Sequence, residues 1–571
     1  MVGASTPPPR PEPALRLGLV LPGPVAPKWT ADLVHSLLAS DRADVRVAVC
    51  PFHVGPGRSQ SATYRVFSAL TVVNRLLTGG SPHAFVPVEL NNILYGVPWI
   101  AESPGGLSEA ANGGWPLDAE TIEALRPLRL DVIIWLTAGD VPARLSEMAR
   151  YGVWSIPGAL HATQSDGFNL APHLDPAAEL AYVGLYARSG RARSPVEQAV
   201  VGTPWASWDR VREEVVNRAC AIVQRRIVAV HAHAELGLMP TTVITPAHDG
   251  DRGDGSSNGR GRKAIVLLAR RAATTVVRRA DRRLHRRQEW FVAFGVSRPG
   301  DEPLKLPADL TPILPPPGHE YADPFVVRWK GRTYLFVEDI SHGSDKATIS
   351  MLEFGGAGRI GPPTAILDVP FHLSYPYVFE VDGKLYLMPE SRKAESIDLY
   401  SPRDDLAQWD HVARIMTNVQ AADSTVVSWR EKLWLFCAMP APGTRAACEE
   451  LHVFFSSSLA TGWTPHPLNP VVSDIRRARP AGTPFLLGGQ LIRPAQDCSR
   501  RYGGSIVFNR VEILDEERYL ERPVSRIGPG WAPGVTATHT YNRVEELTVV
   551  DGKWWWRPAL CRRAARVDRA G

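Results

Sequence analysis

The sequence predicts a multidomain chain: an N-terminal α/β domain with a mostly parallel sheet, a basic connector helix, and a C-terminal all-β propeller of five blades. Three observations carry this reading. Strand–helix–strand order fills roughly the first 240 residues. A Gly/Ser/charge segment then interrupts the chain and is followed by arginines spaced in pairs. Beyond it, one hairpin pattern recurs every 50 to 65 residues or so.

Composition sets the bounds. Of 571 residues, 44% are apolar, enough to bury large cores, so disorder throughout is excluded. The chain has 50 Pro and 47 Gly, an excess that suits many tight turns plus some loose linker. A net charge of +5 on so long a chain points to no specific nucleic-acid partner. The six cysteines are scattered and form no Cys-x-x-Cys pair, which argues against a disulfide scaffold and a zinc ribbon alike. No metal or cofactor is indicated. The N-terminus lacks the basic start and apolar run of a signal peptide, and no stretch approaches a membrane span, so the expectation is a cytoplasmic protein. Residues 1–13 and 563–571 read as tails.

The α/β domain is expected over 14–245. Apolar runs at 15–22 and 45–50 flank helical spacing from Trp29 to Leu38, the pattern of a βαβ unit. Helical stretches follow at about 118–128 and 143–150, with strands at 131–137 and 151–156 and one long helix over 208–232. Residues 246–263 read as a flexible linker. Its Asp249-Gly250-Asp251 lies in a segment too loose to fix a metal shell. Residues 264–288 form the basic helix, with arginines in pairs from Arg270 to Arg287 and some apolar character. Such a helix suits an anionic membrane surface or a polyanion, and equally a solvated connector docked by its apolar side.

The propeller is expected over 289–562. Segments 323–336, 375–388 and 423–436 align without a gap. Each has a β-rich run, a two-residue turn (Lys330-Gly331, Asp382-Gly383, Arg430-Glu431) and an aromatic-rich second strand. A fourth copy at 483–494 has a shortened first strand before Gly488-Gly489, and a fifth is expected at 546–556, turning at Asp551-Gly552. Radial closure of four-stranded blades fits this spacing.

These repeats resemble the five-bladed glycoside hydrolases of the arabinanase and β-xylosidase type. The resemblance implies a general base at Asp323 and a modulating carboxylate at Asp423, both at first positions of inner strands, where carboxylates converge on the funnel. The family's Glu general acid has no match, since the equivalent positions hold Tyr375 and about Thr483. Glu390 and Glu338, after the second strands of their hairpins, are the replacement candidates. The chain is more similar still to the propeller domain of plant glucosamine inositolphosphorylceramide transferases and related bacterial proteins. That similarity is carried by HEYADPF (319–325), SYPYVFE (374–380), LMPES (387–391), RPAQDC (493–498) with YGG (502–504), and HTYN (539–542). It implies carbohydrate or glycolipid chemistry. Asp323, Asp423 and Glu390 are then the catalytic candidates, and Glu338, Tyr375, Arg493, Gln496, Asp497 and His539 the sugar-binding ones.

Residues 131–160 resemble the formyltransferase fold, but the positions of that family's Asn-x-His motif hold Ser155 and Pro157, so a scaffold without formyl transfer is expected. His161, Asp166 and His173 lie downstream at other spacings. Three functions follow as expectations: sugar transfer or processing in the propeller funnel, amino-sugar N-formyl transfer, or non-catalytic glycan binding and assembly.

Overall fold

The structure is a computed structural model. It describes residues 13–50, 62–79, 83–101, 119–137, 141–163, 179–190, 192–203, 207–233, 288–298, 300–355, 359–441 and 448–554, with a few isolated residues between these runs. The linker, most of the basic helix (Arg270 excepted), Asp166 and the two tails lie outside the described residues. The chain divides into two compact units.

In the N-terminal unit, Leu15–Val20 pairs in parallel with both Ala43–Cys50 and Val132–Trp135, and Val132–Trp135 pairs in parallel with Val153–Ser155. Trp99–Ala101 extends the parallel edge beyond Ala43–Cys50. The sheet turns antiparallel at Val153–Ser155 against Leu180–Ser189, beyond which Ala192–Gly202 forms the edge. The expected α/β unit with a mostly parallel sheet is therefore present. Its centre explains the unbroken apolar run: all four residues of Val132–Trp135 are buried, as strands covered on both faces must be. Helix Lys28–Leu38 makes the first crossover, burying Trp29, Leu33, Val34 and Leu37 at helical spacing. The long helix runs Trp208–His233. The expected helix at 143–150 is instead the 3-10 segment Ala143–Met148, with extended backbone at Pro142 before it and Ala149 after it.

The C-terminal unit contains five antiparallel sheets arranged in sequence as the blades of the propeller. The first blade runs from His319–Trp329 to Thr364–Leu367, the second from Ser374–Val381 to Trp409–Thr417. The third begins at Ala422–Trp429, and the fourth from Phe485–Leu487 to Tyr519–Ile527. The fifth is composite: Leu547–Trp554 is sandwiched between Tyr541–Val544 and Glu289–Val296, so that the two ends of the propeller clasp in one sheet. Closure leaves no long open edge. Stacking of Phe291 on Trp554, centroids 3.9 Å apart, packs the clasp.

Four hairpin turns are where the repeat pattern puts them. Lys330-Gly331, Asp382-Gly383, Arg430-Glu431 and Gly488-Gly489 all have positive φ at both central residues, the geometry of a two-residue turn whose twist matches the strands. The fifth is a correction. Asp551-Gly552 is no turn but the middle of the straight strand Leu547–Trp554; the chain reverses at Glu545-Glu546. Gly552 is required for space rather than for φ, since a Cβ there would meet the Phe291 ring at 2.8 Å and Trp531 at 2.7 Å. Asp551 is fully buried as a hydrogen-bond acceptor.

Candidate functional site in the propeller axis

The inner strands of the first three blades share one irregularity. Their registers slip between Ala322 and Phe325, Ser374 and Tyr377, and Ala422 and Thr425. The bulge residue in each is left-handed: Asp323 at φ 49°, Tyr375 at 44° and Asp423 at 53°. Non-glycine residues rarely sit there, and bulges of this kind re-aim a side chain next to a site. Here they also turn each backbone N–H onto a carboxylate of the preceding blade. Asp323 donates to Asp551 (3.3 Å), Tyr375 to Asp323 (3.1 Å) and Asp423 to Glu390 (3.2 Å). Acidic residues thus line the axis because the bulged backbone supplies their donors.

One half of the site is built on Asp323. Its Oδ1 accepts from the Thr540 hydroxyl at 2.6 Å and lies 3.5 Å from His539 Nε2. The other face of His539, Nδ1, meets Asp551, whose Oδ1 also accepts the backbone N–H groups of His539 (2.7 Å) and Thr540 (3.1 Å). Trp290 stacks on the imidazole, centroids 4.2 Å apart. Burial opposes a charge on His539, but Asp551 and Asp323 overcome it and raise its pKa. Ligand atoms of Asp323, His539 and Asp551 lie within 4.8 Å of one another, a set a cation could bridge; in the structure the imidazole itself lies between the two carboxylates. Glu338 faces His372 Nε2 at 3.2 Å. Burial, with help from the Asp323 charge and against the pull of His372, pushes the Glu338 carboxyl up to about 7. Because His372 Nδ1 accepts the Ala347 N–H at 3.1 Å, the neutral ring carries its proton on Nε2, facing Glu338.

The other half is built on Asp423, clamped by Arg479 through Nε (2.7 Å) and Nη2 (2.9 Å). Gln496 donates to Asp423 Oδ2 at 2.7 Å. Arg479 Nη2 also reaches Glu390 (3.2 Å) and the Tyr502 hydroxyl (3.2 Å), and its guanidinium lies over the Tyr502 ring. Burial works against the charge of Arg479, yet Asp423, Tyr502, Cys448 and Glu390 hold it firmly cationic. Asp423 is pushed up by burial, pulled back by Arg479 and pushed up again by Glu390. The Tyr375 hydroxyl ties this half to the fourth blade, accepting the Gly482 N–H at 2.7 Å and contacting Thr425 Oγ1 at 3.1 Å. At this position of the fourth blade the chain is too close for a side chain: a Cβ on Gly482 would lie 2.0 Å from the Tyr541 carbonyl.

Of the residues expected from sequence, Asp323, Glu338, Tyr375, Glu390, Asp423, Gln496 and His539 are linked in this network. Arg493 is not. It is buried in the fourth blade with its guanidinium on Glu521 (2.8 Å) and on the Arg477 carbonyl (2.6 Å). Asp497 pairs with Arg526 at 2.9 Å and accepts the Ser499 N–H. The basic group at the axis is Arg479, which sequence reading missed along with His372, Tyr502 and Asp551. One signal was available: Arg479 precedes Pro480-Ala481, just before the shortened strand of the fourth copy, and so falls beside the bulge positions. In the N-terminal unit, Ser155 ends a strand and Pro157 opens helix Pro157–Thr163, on which His161 Nδ1 contacts His173 Nε2 at 2.8 Å.

Comparison with known proteins adds three findings. Residues 314–529 match the family described as glucosamine inositolphosphorylceramide transferase 1, N-terminal. The chain is 32% identical over 208 residues to glucosamine inositolphosphorylceramide transferase 1 of Arabidopsis thaliana, covering 36% of this chain and 27% of that protein. It is 31% identical over 215 residues to the protein of the same name from Oryza sativa subsp. japonica, covering 37% and 28%. The chain therefore spans little more than a quarter of the length of these relatives. Among solved structures, an exo-β-1,3-galactanase from Clostridium thermocellum aligns at a TM-score of 0.30 and 14% identity, covering 37% of this chain and 50% of the other. The Cellvibrio cellulosa α-L-arabinanase complexed with arabinohexaose aligns at 0.28 and 14%, covering 36% and 77%. The sequence match spans the first four blades, from His319 to Ile527, and leaves out the clasp. Over residues 314–529 the propeller is thus similar to the N-terminal domain of glucosamine inositolphosphorylceramide transferase 1.

Proposed function

We propose that the chain acts in glycan or glycolipid assembly, with the axial cluster of the propeller holding a sugar and taking part in its transfer or processing. The observation that carries the reading is the convergence of Asp323, Glu338, Glu390, Asp423 and Asp551 with Arg479, His539 and His372. So many ionisable groups are costly to bury without a task, and perturbed carboxyls cluster at sites of chemistry. A cluster rich in carboxylates favours a sugar bearing an ammonium, in keeping with the glucosamine in the relatives' name.

Roles follow from access. Asp323 and Asp423 are buried with their oxygens engaged, so they position neighbours. Glu390 and Glu338 keep about a tenth of their side chains exposed, and Tyr502 is 48% exposed, offering a ring on which a sugar can lie. Glu338, titrating near neutrality, is the proton donor in this reading, and Glu390 the second carboxylate. The engaged state of Asp323 and Asp423 also favours a second reading, glycan binding without catalysis.

The test is to replace Glu338 by Gln and to follow both the glycolipid profile of the producing cell and sugar binding by the purified chain. The transfer reading expects the glycolipid product to fall at least tenfold while binding persists. Product and binding that fall together would favour the binding-only role, and loss of neither would remove Glu338 from the function altogether.

A further inference from the structure

Behind the Asp423 half of the cluster lie two thiols from neighbouring blades. Cys448 stands two residues before strand Glu450–Ser456 of the third blade, and Cys498 directly follows strand Gln490–Asp497 of the fourth. The thiols hydrogen-bond to each other. Each also touches one of the two groups that clamp Asp423: Cys448 Sγ is 3.9 Å from Arg479 Nη1, and Cys498 Sγ is 3.8 Å from Gln496 Oε1. Cys448 is partly exposed and Cys498 is 4% exposed. This is the arrangement of an attacking and a resolving thiol: a sulfur on a partly exposed residue beside a cation, with a buried partner in contact.

We propose that Cys448 and Cys498 form a reversible thiol–disulfide exchange site, with a small disulfide such as oxidised glutathione as oxidant. The Cys448 thiolate attacks one glutathione sulfur, forming a mixed disulfide and releasing one glutathione thiolate. Cys498 then gives up its proton and attacks the Cys448 sulfur; the S–S bond between the two blades forms and the second glutathione leaves. Two protein thiols are oxidised by two electrons, the glutathione disulfide is reduced to two thiols, and these take up both protons. The chemistry around Cys448 agrees. The Cys498 hydrogen bond, against burial and with the help of Arg479, brings the Cys448 thiol down to about 7. Burial pushes Cys220 up to about 12 and raises Cys437 as well, so both remain inert thiols at neutral pH. Oxidation removes the thiolate charge beside Arg479 and links the third blade to the fourth next to the groups that clamp Asp423.

The experiment is peptide mapping by mass spectrometry of the full chain equilibrated in glutathione buffers of increasing oxidation at pH 7.5, quenched by alkylation. The expected result is a peptide pair cross-linked through Cys448 and Cys498, reversed by reduced glutathione, with Cys220 and Cys437 alkylated only after denaturation. Cys498→Ser should stop the reaction halfway, leaving one glutathione on Cys448. Cys498→Ala, which loses the hydrogen bond, should move the half-point of Cys448 alkylation to higher pH by at least one pH unit. The proposal is overturned if the folded wild-type chain yields no linked pair in oxidising buffer, whatever the variants do. It is equally overturned if a folded Cys498→Ser chain carries no adduct on Cys448.

Discussion

Glu338 shows how a single buried side chain couples the site to stability. Its folded pKa stands above the ordinary Glu value, so the folded state holds a proton that the unfolded chain releases. Below about pH 4.5 both states are protonated; above about 7 both are ionised, and the folded state bears the cost of the buried charge. Stability therefore falls as pH rises between these limits, by something on the order of 3 kcal/mol. His372, raised by its Glu338 hydrogen bond, acts in the same direction: its contribution is full below its unfolded pKa and fades as pH rises through the folded one. Glu338→Gln keeps an oxygen for His372 and removes the charge. Urea unfolding should show the variant matching wild type at pH 4.5 and exceeding it at pH 8; equal slopes for the two proteins would contradict the assignment. At this scale the sequence was only partly legible. Asp323, Asp423 and Glu390 stand out as carboxylates at repeat positions, whereas Arg493 looked equally suited to the site and went to Glu521 instead. Nothing in residue type distinguishes an arginine satisfied within its own blade from one at the axis. That depends on where the fold carries each side chain, and Arg479 is carried to Asp423 and Glu390.

The hairpin is the element on which the fold was most legible. A two-residue turn between a β-branched run and an aromatic run leaves few alternatives, and four of the five copies reverse where expected. The fifth misled because Asp-Gly serves two purposes. In strand Leu547–Trp554 the Asp accepts hydrogen bonds at the axis, and the Gly lets the Phe291 ring approach the backbone. Gly552→Ala should therefore destabilise by overpacking, about 1–3 kcal/mol in chemical unfolding. Gly383→Ala, with open space around its Cβ, is opposed only by its φ of 72° and should cost about 1–2 kcal/mol. The two are told apart by Phe291→Leu, which makes room beside Gly552 alone: rescue of Gly552→Ala by that change is expected, and its absence would refute the packing explanation. The left-handed bulge residues were not legible at all, because Asp, Tyr and Asp share no property that announces positive φ.

On the scale of the whole molecule, the clasp joins residues nearly 260 positions apart, Glu289–Val296 with Leu547–Trp554. No local pattern reveals such a pairing; it follows only from the need to close a ring of blades. Removing everything after residue 546 would strip the shared strand and leave Glu289–Val296 as an open edge. Size-exclusion chromatography should then show aggregates in place of a monodisperse propeller, while a well-behaved truncated chain would mean that the ring does not need its clasp. The central claim, however, concerns the axis onto which the first, second, third and fifth blades deliver carboxylates and the fourth an arginine. Its most direct test is saturation-transfer NMR of the full chain with glucosamine, comparing wild type with Glu390→Gln and Tyr502→Ala. We predict contact to the sugar ring in the wild type and a loss of at least tenfold in affinity in each variant; glucosamine binding that survives both substitutions unchanged would contradict the account.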